Sequence, residues 1–283
     1  MKATAPVAAE LTSPQVNMFR LQRHHLIRRA PQKDLARVVG EICGAQAQVM
    51  SAAEMQIAVR VDCTVEEVRK ALWKDRTLVK TWLMRGTLHL IPAADLPLYT
   101  AAMSTRWVKP SNAWLKFVGL NETELTGLVQ TIGGALNGHP MTREEIIAVA
   151  GKGQSEKIRE WLKSGWGGFL KPVARQGLLC FGPSRAQNVT FVRPREWLGE
   201  WRDFEPDAAL LEVARRYLRA YGPATKADFA RWWGNWPGIG NAAWSGLAGE
   251  LVTVSVDGLR SEMLAADLPK MASAKSDQSV VLL

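Results

Sequence analysis

Leu251-Val252-Thr253-Val254-Ser255-Val256-Asp257-Gly258-Leu259-Arg260-Ser261-Glu262-Met263-Leu264 carries the clearest signature of the fold. Two runs of strand-forming residues flank Asp-Gly, the dipeptide that accepts the left-handed backbone of a two-residue hairpin turn. Upstream of it the periodicity is helical. Leu210, Leu211, Ala214 and Leu218 share one face of a run over 208–221, which Gly222-Pro223 ends. Thr225 caps a second helix containing Phe229, Trp232 and Trp233, and residues 241–249 can form a third.

The same order, helices and then two strands, recurs twice upstream. In the middle of the chain a helix over 122–136 ends at Gly138-His139-Pro140, and Thr142 with Glu145 makes a capping box before Ile146, Ile147 and Val149. A basic helical stretch (Lys157, Arg159, Lys163) and another around Leu170 and Val173 lead to strands at 178–181 and 188–192. Near the start, helices at about 33–43, 51–60 and 64–74 precede strands at 78–84 and 87–91, which meet at Arg85-Gly86. Helices closed by a hairpin are the winged helix-turn-helix plan. The expected fold is therefore mainly α with small β-hairpin wings (α+β), built as three tandem modules. Their expected limits are 15–110, 111–204 and 205–283, behind a flexible tail at 1–14 rich in Ala, Pro and Thr. Such modules put a helix in the major groove and a basic wing along the backbone. Three helical modules that bind protein or each other would show the same pattern.

Charge separates these readings in part. The formal net charge of +9 favours a polyanionic partner, nucleic acid before a membrane surface. Residues 151–202 hold ten Lys or Arg against four acids, the local surplus that tracking phosphates needs, although a solvated face gives the same count. Cys43, Cys63 and Cys180 are odd in number and far apart, which suits a reducing compartment. No CxxC exists, and His24, His25, His89 and His139 form no helical ligand pair, so neither a metal nor a cofactor is expected. No run reaches the ~18 apolar residues of a membrane span, and no heptad segment offers a dimerisation seam. A cytoplasmic monomer is expected. Gly151-Lys152-Gly153 lacks the upstream glycine of a phosphate-binding loop, and no nucleophile elbow is present.

Gln46-Ala47-Gln48 sits between Gly44, expected to end one helix, and Ser51-Ala52-Ala53-Glu54, which reads as a capping box opening the next. The glutamines thus fall in a joint between helices. Two readings are open: solvent-facing caps, or amides that an extended or kinked joint brings together on a small ligand. Pro237-Gly238-Ile239-Gly240-Asn241 with Asp257 downstream imitates a helix-hairpin-helix glycosylase, but Asp257 lies in a turn, where it is expected to serve its own backbone. Trp73, Trp82, Trp232 and Trp233 fall where module cores belong. Trp107, Trp114, Trp161 and Trp166 lie near basic residues and could stack on a base. His89, flanked by Leu88 and Leu90, is either a satisfied interface histidine or a polar group facing the Gln46 joint.

Gln46-Ala47-Gln48, the segment Thr81-Trp82-Leu83-Met84-Arg85-Gly86-Thr87-Leu88-His89-Leu90 and the subsequent Ala93-Ala94-Asp95-Leu96 together resemble the AlkZ-like (YcaQ-related) winged-helix DNA glycosylases. The likeness runs from about residue 15 to the end. Its Arg-Gly-Thr-Leu-His-Leu part marks the broader winged-helix family, and the Gln-x-Gln part is the one tied to catalysis. The resemblance implies three winged helices forming a concave basic surface. It also implies excision of N7-alkylated purines, including interstrand crosslinks, from double-stranded DNA, with Gln46 and Gln48 catalytic. Arg85, His89, Lys171, Arg175 and Arg185 are further candidates for the active site or for DNA contact. Relatives continue past the apolar segment Val280-Val281-Leu282-Leu283 into a Leu-Pro-x-Phe-Asp-like stretch, so the third module is expected to be incomplete.

The chemistry of the amide fits that expectation. Glutamine cannot take a proton as Asp or Glu does, but it can hold a water, and its carbonyl dipole can face positive charge growing on the sugar. Such mild help suffices when the leaving group is already activated. An N7-alkylpurine carries a positive charge and departs neutral, so no general acid is required. A crosslinked base is tied to the other strand and cannot swing out, which calls for an open groove. With no lysine nucleophile implied, the expected reaction is hydrolysis without strand cleavage.

Overall fold

The structure, a computed structural model, describes residues 6–105, 108, 110–136, 138–163 and 168–275. Short helices and small sheets alternate along it. The strands are β1 (Glu10–Leu11), β2 (Ala30–Pro31), β3 (Ala45–Gln46), β4 (Val61–Asp62), β5 (Leu78–Trp82) and β6 (Leu88–Pro92). They continue with β7 (Met141–Thr142), β8 (Cys180–Arg185), β9 (Asn188–Val192), β10 (Leu251–Val256) and β11 (Leu259–Leu264). The expected hairpins are all present as β5–β6, β8–β9 and β10–β11. The last turns at Asp257-Gly258, both with positive φ, as its sequence requires.

Each hairpin gains a short third strand beyond the expected pair. The sheet orders are β3-β6-β5, β7-β9-β8 and β1-β10-β11. In the first two sheets the added strand lies antiparallel on the second hairpin strand, and in the third Ala224 makes a single antiparallel bridge to Glu262 of β11. Beyond this pairing the three units diverge. After Thr142 and after Ala224-Thr225 a helix starts at once, capped by Thr142 or Thr225. After Gln46 three more residues intervene before the helix Met50–Ala58, which has no side-chain cap. The expected capping box at Ser51 is therefore absent. Glu54 turns inward instead, only 3% exposed, and pairs with Arg69 Nε at 2.8 Å.

Trp82 ties the first hairpin to the second by packing on Phe181, with ring centroids 4.8 Å apart, and on Phe191. The helix Leu96–Met103 lies along Pro206–Tyr221, fixed by Arg216 to Asp95 at 2.8 Å, and so joins the first unit to the third. Gly240 needs its missing side chain here, because a Cβ would stand 2.3 Å from the Lys226 carbonyl oxygen of the neighbouring helix. Close helix packing accounts for that glycine without any phosphate role.

The N-terminal segment departs most from expectation. Residues 8–14 are not a free tail. Ala8 N–H donates to Thr253 O at 2.8 Å, β1 pairs in parallel with β10, and the capped helix Ser13–Arg23 comes next. Asp257 serves this segment and not its own turn, accepting from Ser13 N–H at 3.2 Å. Leu11, Val16 and Phe19 pack with Val254, Met263 and Met271, so this helix covers the third hairpin and not the first module. Trp107, Trp166 and Val280–Leu283 lie outside the described residues.

Phe19 is 6% exposed in that cluster. Phe19→Ala is expected to lower unfolding free energy by about 3–5 kcal/mol in urea titration. An unchanged midpoint would mean that the segment is a tail after all.

Candidate functional site

The glutamines owe their position to the way the chain turns out of the helix Leu35–Glu41. Cys43 and Gly44 take positive φ, and a Cβ on Gly44 would lie 2.8 Å from Ile91 Cγ2 and 3.0 Å from Leu90 O. Glycine lets the chain come in against β6. Ala45 then pairs with Leu90, Gln46 pairs with His89, and Ala47 N–H donates to Leu88 O at 2.7 Å. The joint anticipated between two helices is thus an edge strand. Along a strand side chains alternate. Ala45 and Ala47 are fully buried in the first unit's core, and Gln46 and Gln48 stand exposed on the opposite side. Both amides therefore stand on one exposed face at the edge of the sheet.

The two amides are not equivalent. Gln48 Oε1 accepts from Leu88 N–H at 3.4 Å, which extends the ladder by a side chain as the backbone leaves for the helix. The main-chain oxygen of Gln46 accepts from Gln56 Nε2 at 3.3 Å, but its own side-chain amide has no hydrogen-bond partner among the described residues. No carboxylate among those residues hydrogen-bonds to either amide.

His89 lies beside Gln46 on the same face of the sheet. It is 3% exposed and stands opposite both Gln46 on β3 and Thr81 on β5. The Ala47–Leu88 bond makes Gln46 and His89 a non-hydrogen-bonded pair, the type whose side chains approach most closely. Nδ1–H donates to Thr87 O at 3.0 Å, leaving Nε2 as the acceptor. Burial pushes the imidazole pKa down to about 4, and nearby Arg85 pushes the same way against the Thr87 bond. The ring is neutral at pH 7.

The Arg85-Gly86 turn gathers the basic candidates. Arg85 (φ 58°) is exposed, and its Nη1 donates to Trp232 O at 2.7 Å. Lys171 and Arg175, one turn apart on the helix Leu170–Arg175, reach the same place. A Cβ on Gly86 would lie 3.8 Å from Arg175 Nη2 and 3.9 Å from Lys171 Nζ. Arg175 lies over the Trp236 ring, 5.2 Å from its centroid. Arg185 is elsewhere, near the end of β8, tied to Pro140 O at 3.1 Å and to the Glu145 carboxylate. That ion pair holds a helix cap, so the structure does not bring Arg185 to the glutamines.

Much of the expected basic surplus is likewise paired, Arg159 with Glu156, Lys163 with Glu160 and Arg195 with Asp203. A concavity of about 1750 Å³ lies beyond Lys171 and Arg175, lined also by Trp114, Trp161, Trp201 and Trp236, and neither glutamine borders it. Trp114 and Trp161 are half-buried against Phe169 there. Sequence reasoning missed Trp236, which lies in a connection without periodicity, and Gln56, whose contact depends on the helix starting at Met50. No helix among the described residues is long and apolar enough to cross a membrane.

Comparison with known proteins adds three findings. The family model described as DNA glycosylase AlkZ-like matches residues 39–283. An interstrand DNA cross-link repair glycosylase of Streptomyces sahachiroi is 37% identical over 280 residues, covering 95% of this chain and 74% of that protein. The solved structure of Streptomyces sahachiroi DNA glycosylase AlkZ matches with a TM-score of 0.85 at 34% identity, over 94% of this chain and 73% of that one.

The lowered pKa of His89 sets a pH dependence. Its unfolded value near 6.5 exceeds the folded value of about 4, so its stabilisation is full above pH 6.5 and is lost as pH falls toward 4. Between pH 7 and 4.5 the loss from this residue is on the order of 2 kcal/mol. Urea titrations at the two pH values should show His89→Gln losing less stability than the wild type by that amount. Equal losses would show that His89 titrates normally in the fold.

Proposed function

The chain belongs to the AlkZ-like DNA glycosylase family, and on that basis we propose that it hydrolyses the N-glycosidic bond of N7-alkylated purines in duplex DNA, interstrand crosslinks included. The observation that carries the proposal is the edge strand Ala45–Gln46 with its continuation, which leaves two glutamine amides exposed on one face with no carboxylate bonded to either. The three repeats of helices closed by a hairpin act as tandem winged-helix modules, and the first carries the reacting centre. Its three residues between strand and helix, Ala47 to Val49, are what place Gln48 there.

Gln46 and Gln48 hold the water and face the sugar. Gln46 has a free amide, and its carbonyl oxygen can accept from a water approaching the anomeric carbon. Gln48 keeps its oxygen near Leu88 N–H, which leaves its NH2 group toward the substrate and fixes the side chain in place. As the bond lengthens, positive charge moves from the alkylated base to the sugar ring, where an oriented amide dipole opposes it without any proton transfer. The purine leaves neutral with the bonding pair, water forms the new bond to the anomeric carbon, and its proton is released to bulk solvent. Neutral His89 beside Gln46 adds no repelling charge to a cationic transition state. The product is an abasic site in an intact strand.

That the Streptomyces sahachiroi relative is named for interstrand cross-link repair supports a crosslinked substrate. The exposure of both glutamines supports it independently, since a base tethered to the opposite strand reaches a strand edge more easily than an enclosed pocket.

On duplex DNA carrying N7-methylguanine, Gln46→Ala and Gln48→Ala should each slow single-turnover base release by roughly a hundredfold, as loss of one preorganised dipole does, with DNA affinity unchanged. Release at the wild-type rate from both variants would remove the glutamines from catalysis, and no release by the wild type would remove the proposed substrate.

A further inference from the structure

Lys171 and Arg175 are cations held in an arrangement that costs free energy as it stands. Like charges one helical turn apart destabilise a helix, and both side chains are half-buried. Burial lowers both their pKa values, and for Lys171 the charge of Arg175 adds to the effect. Neither has a hydrogen bond or ion pair to a carboxylate among the described residues. Other half-buried arginines are compensated. Arg20 donates to Pro223 O at 3.0 Å, Arg23 to Asp267 at 2.9 Å and Arg216 to Asp95 at 2.8 Å. Arg175 has the face of Trp236 as its partner, and stacking leaves the in-plane N–H groups of a guanidinium free.

The place of this pair gives it a use. Lys171 Nζ and Arg175 Nη2 converge on one side of Gly86, whose absent side chain leaves the approach open. Two residues on, Leu88 N–H is held by Gln48. Both cations also border the 1750 Å³ concavity, so an anion can reach them from solvent.

We propose that Lys171 and Arg175 form a phosphodiester clamp that grips the DNA backbone beside the lesion and sets the register of the damaged strand on Gln46 and Gln48. The inference rests on DNA being the substrate. The planar fork of Arg175, positioned over Trp236, meets two non-bridging oxygens, and Lys171 supplies a point charge to the same phosphate. The clamp reads no base, so it binds damaged and undamaged strands alike.

The test is the salt dependence of affinity for an undamaged duplex, measured by fluorescence anisotropy. Each lost phosphate contact lowers the slope of log K against log salt by about 0.9; because both cations meet one phosphate, the double variant should show that drop in full and Lys171→Gln and Arg175→Gln each a part of it. Lys33→Gln, which removes an exposed charge on another part of the molecule, should leave the slope near the wild-type value. Arg175→Lys should restore most of the slope, because the charge remains. The urea midpoint of the double variant should equal or exceed that of the wild type, since an uncompensated pair is removed. A wild-type slope in the double variant overturns the clamp, as does a slope change no larger than that of Lys33→Gln. A fall in the midpoint would assign the pair to structure and overturn it too. Because no base release is measured, a slope change in a protein that excises nothing would sink the glycosidase reading of the site and leave the clamp standing.

Discussion

The pairing of residues 45–47 with 88–90 is the constraint that creates the site. Ala47 N–H to Leu88 O, the Gln46–His89 pair and the two fully buried alanines leave the strand one register. A slip by one residue would bury both amides and expose both alanines. The methyl groups of Ala45 and Ala47 therefore place the glutamines as firmly as the hydrogen bonds do. Ala47 is fully buried, so a larger residue there has to displace core neighbours.

A second constraint is the Arg85-Gly86 turn, where the units meet. Arg85 reaches Trp232 of the third unit, Lys171 and Arg175 arrive from the second, and two residues later Leu88 meets Gln48 of the first. Trp82, just before the turn, anchors the same hairpin in the middle unit's core. The hairpin of the first unit is thus braced from both sides, as the proposed role of the glutamines as fixed dipoles requires.

The hairpins are legible in the sequence because alternation and turn residues are local signals. Asp257-Gly258 and Arg85-Gly86 both fall at turns, and β10 and β11 match the residues expected of them. Two-residue strands have no period to read, so β1 and β7 leave no trace in the pattern. The N-terminus misleads by composition, although Thr12 and Gln15 spell a capping box. Ser51 and Glu54 mislead in the opposite way. Their spacing is right, but Arg69, fifteen residues on, draws Glu54 into an ion pair and no cap forms. At the site, the alternation Ala-Gln-Ala-Gln over 45–48 is a strand signal, but it is short and the glycine before it suggests a joint instead. The convergence of Lys171 and Arg175 on Gly86 joins residues more than eighty positions apart, which no local pattern reports.

The proposed chemistry turns on an exposed strand edge, and not an enclosed pocket, presenting the glutamines to the glycosidic bond. Single-turnover unhooking of an N7–N7 interstrand crosslink, compared with release of the same purine monoadduct in the same duplex, separates the two. An exposed edge gives rates within about tenfold of each other, because neither base has to leave the helix fully. Ready release of the monoadduct from DNA whose crosslink stays untouched would contradict it.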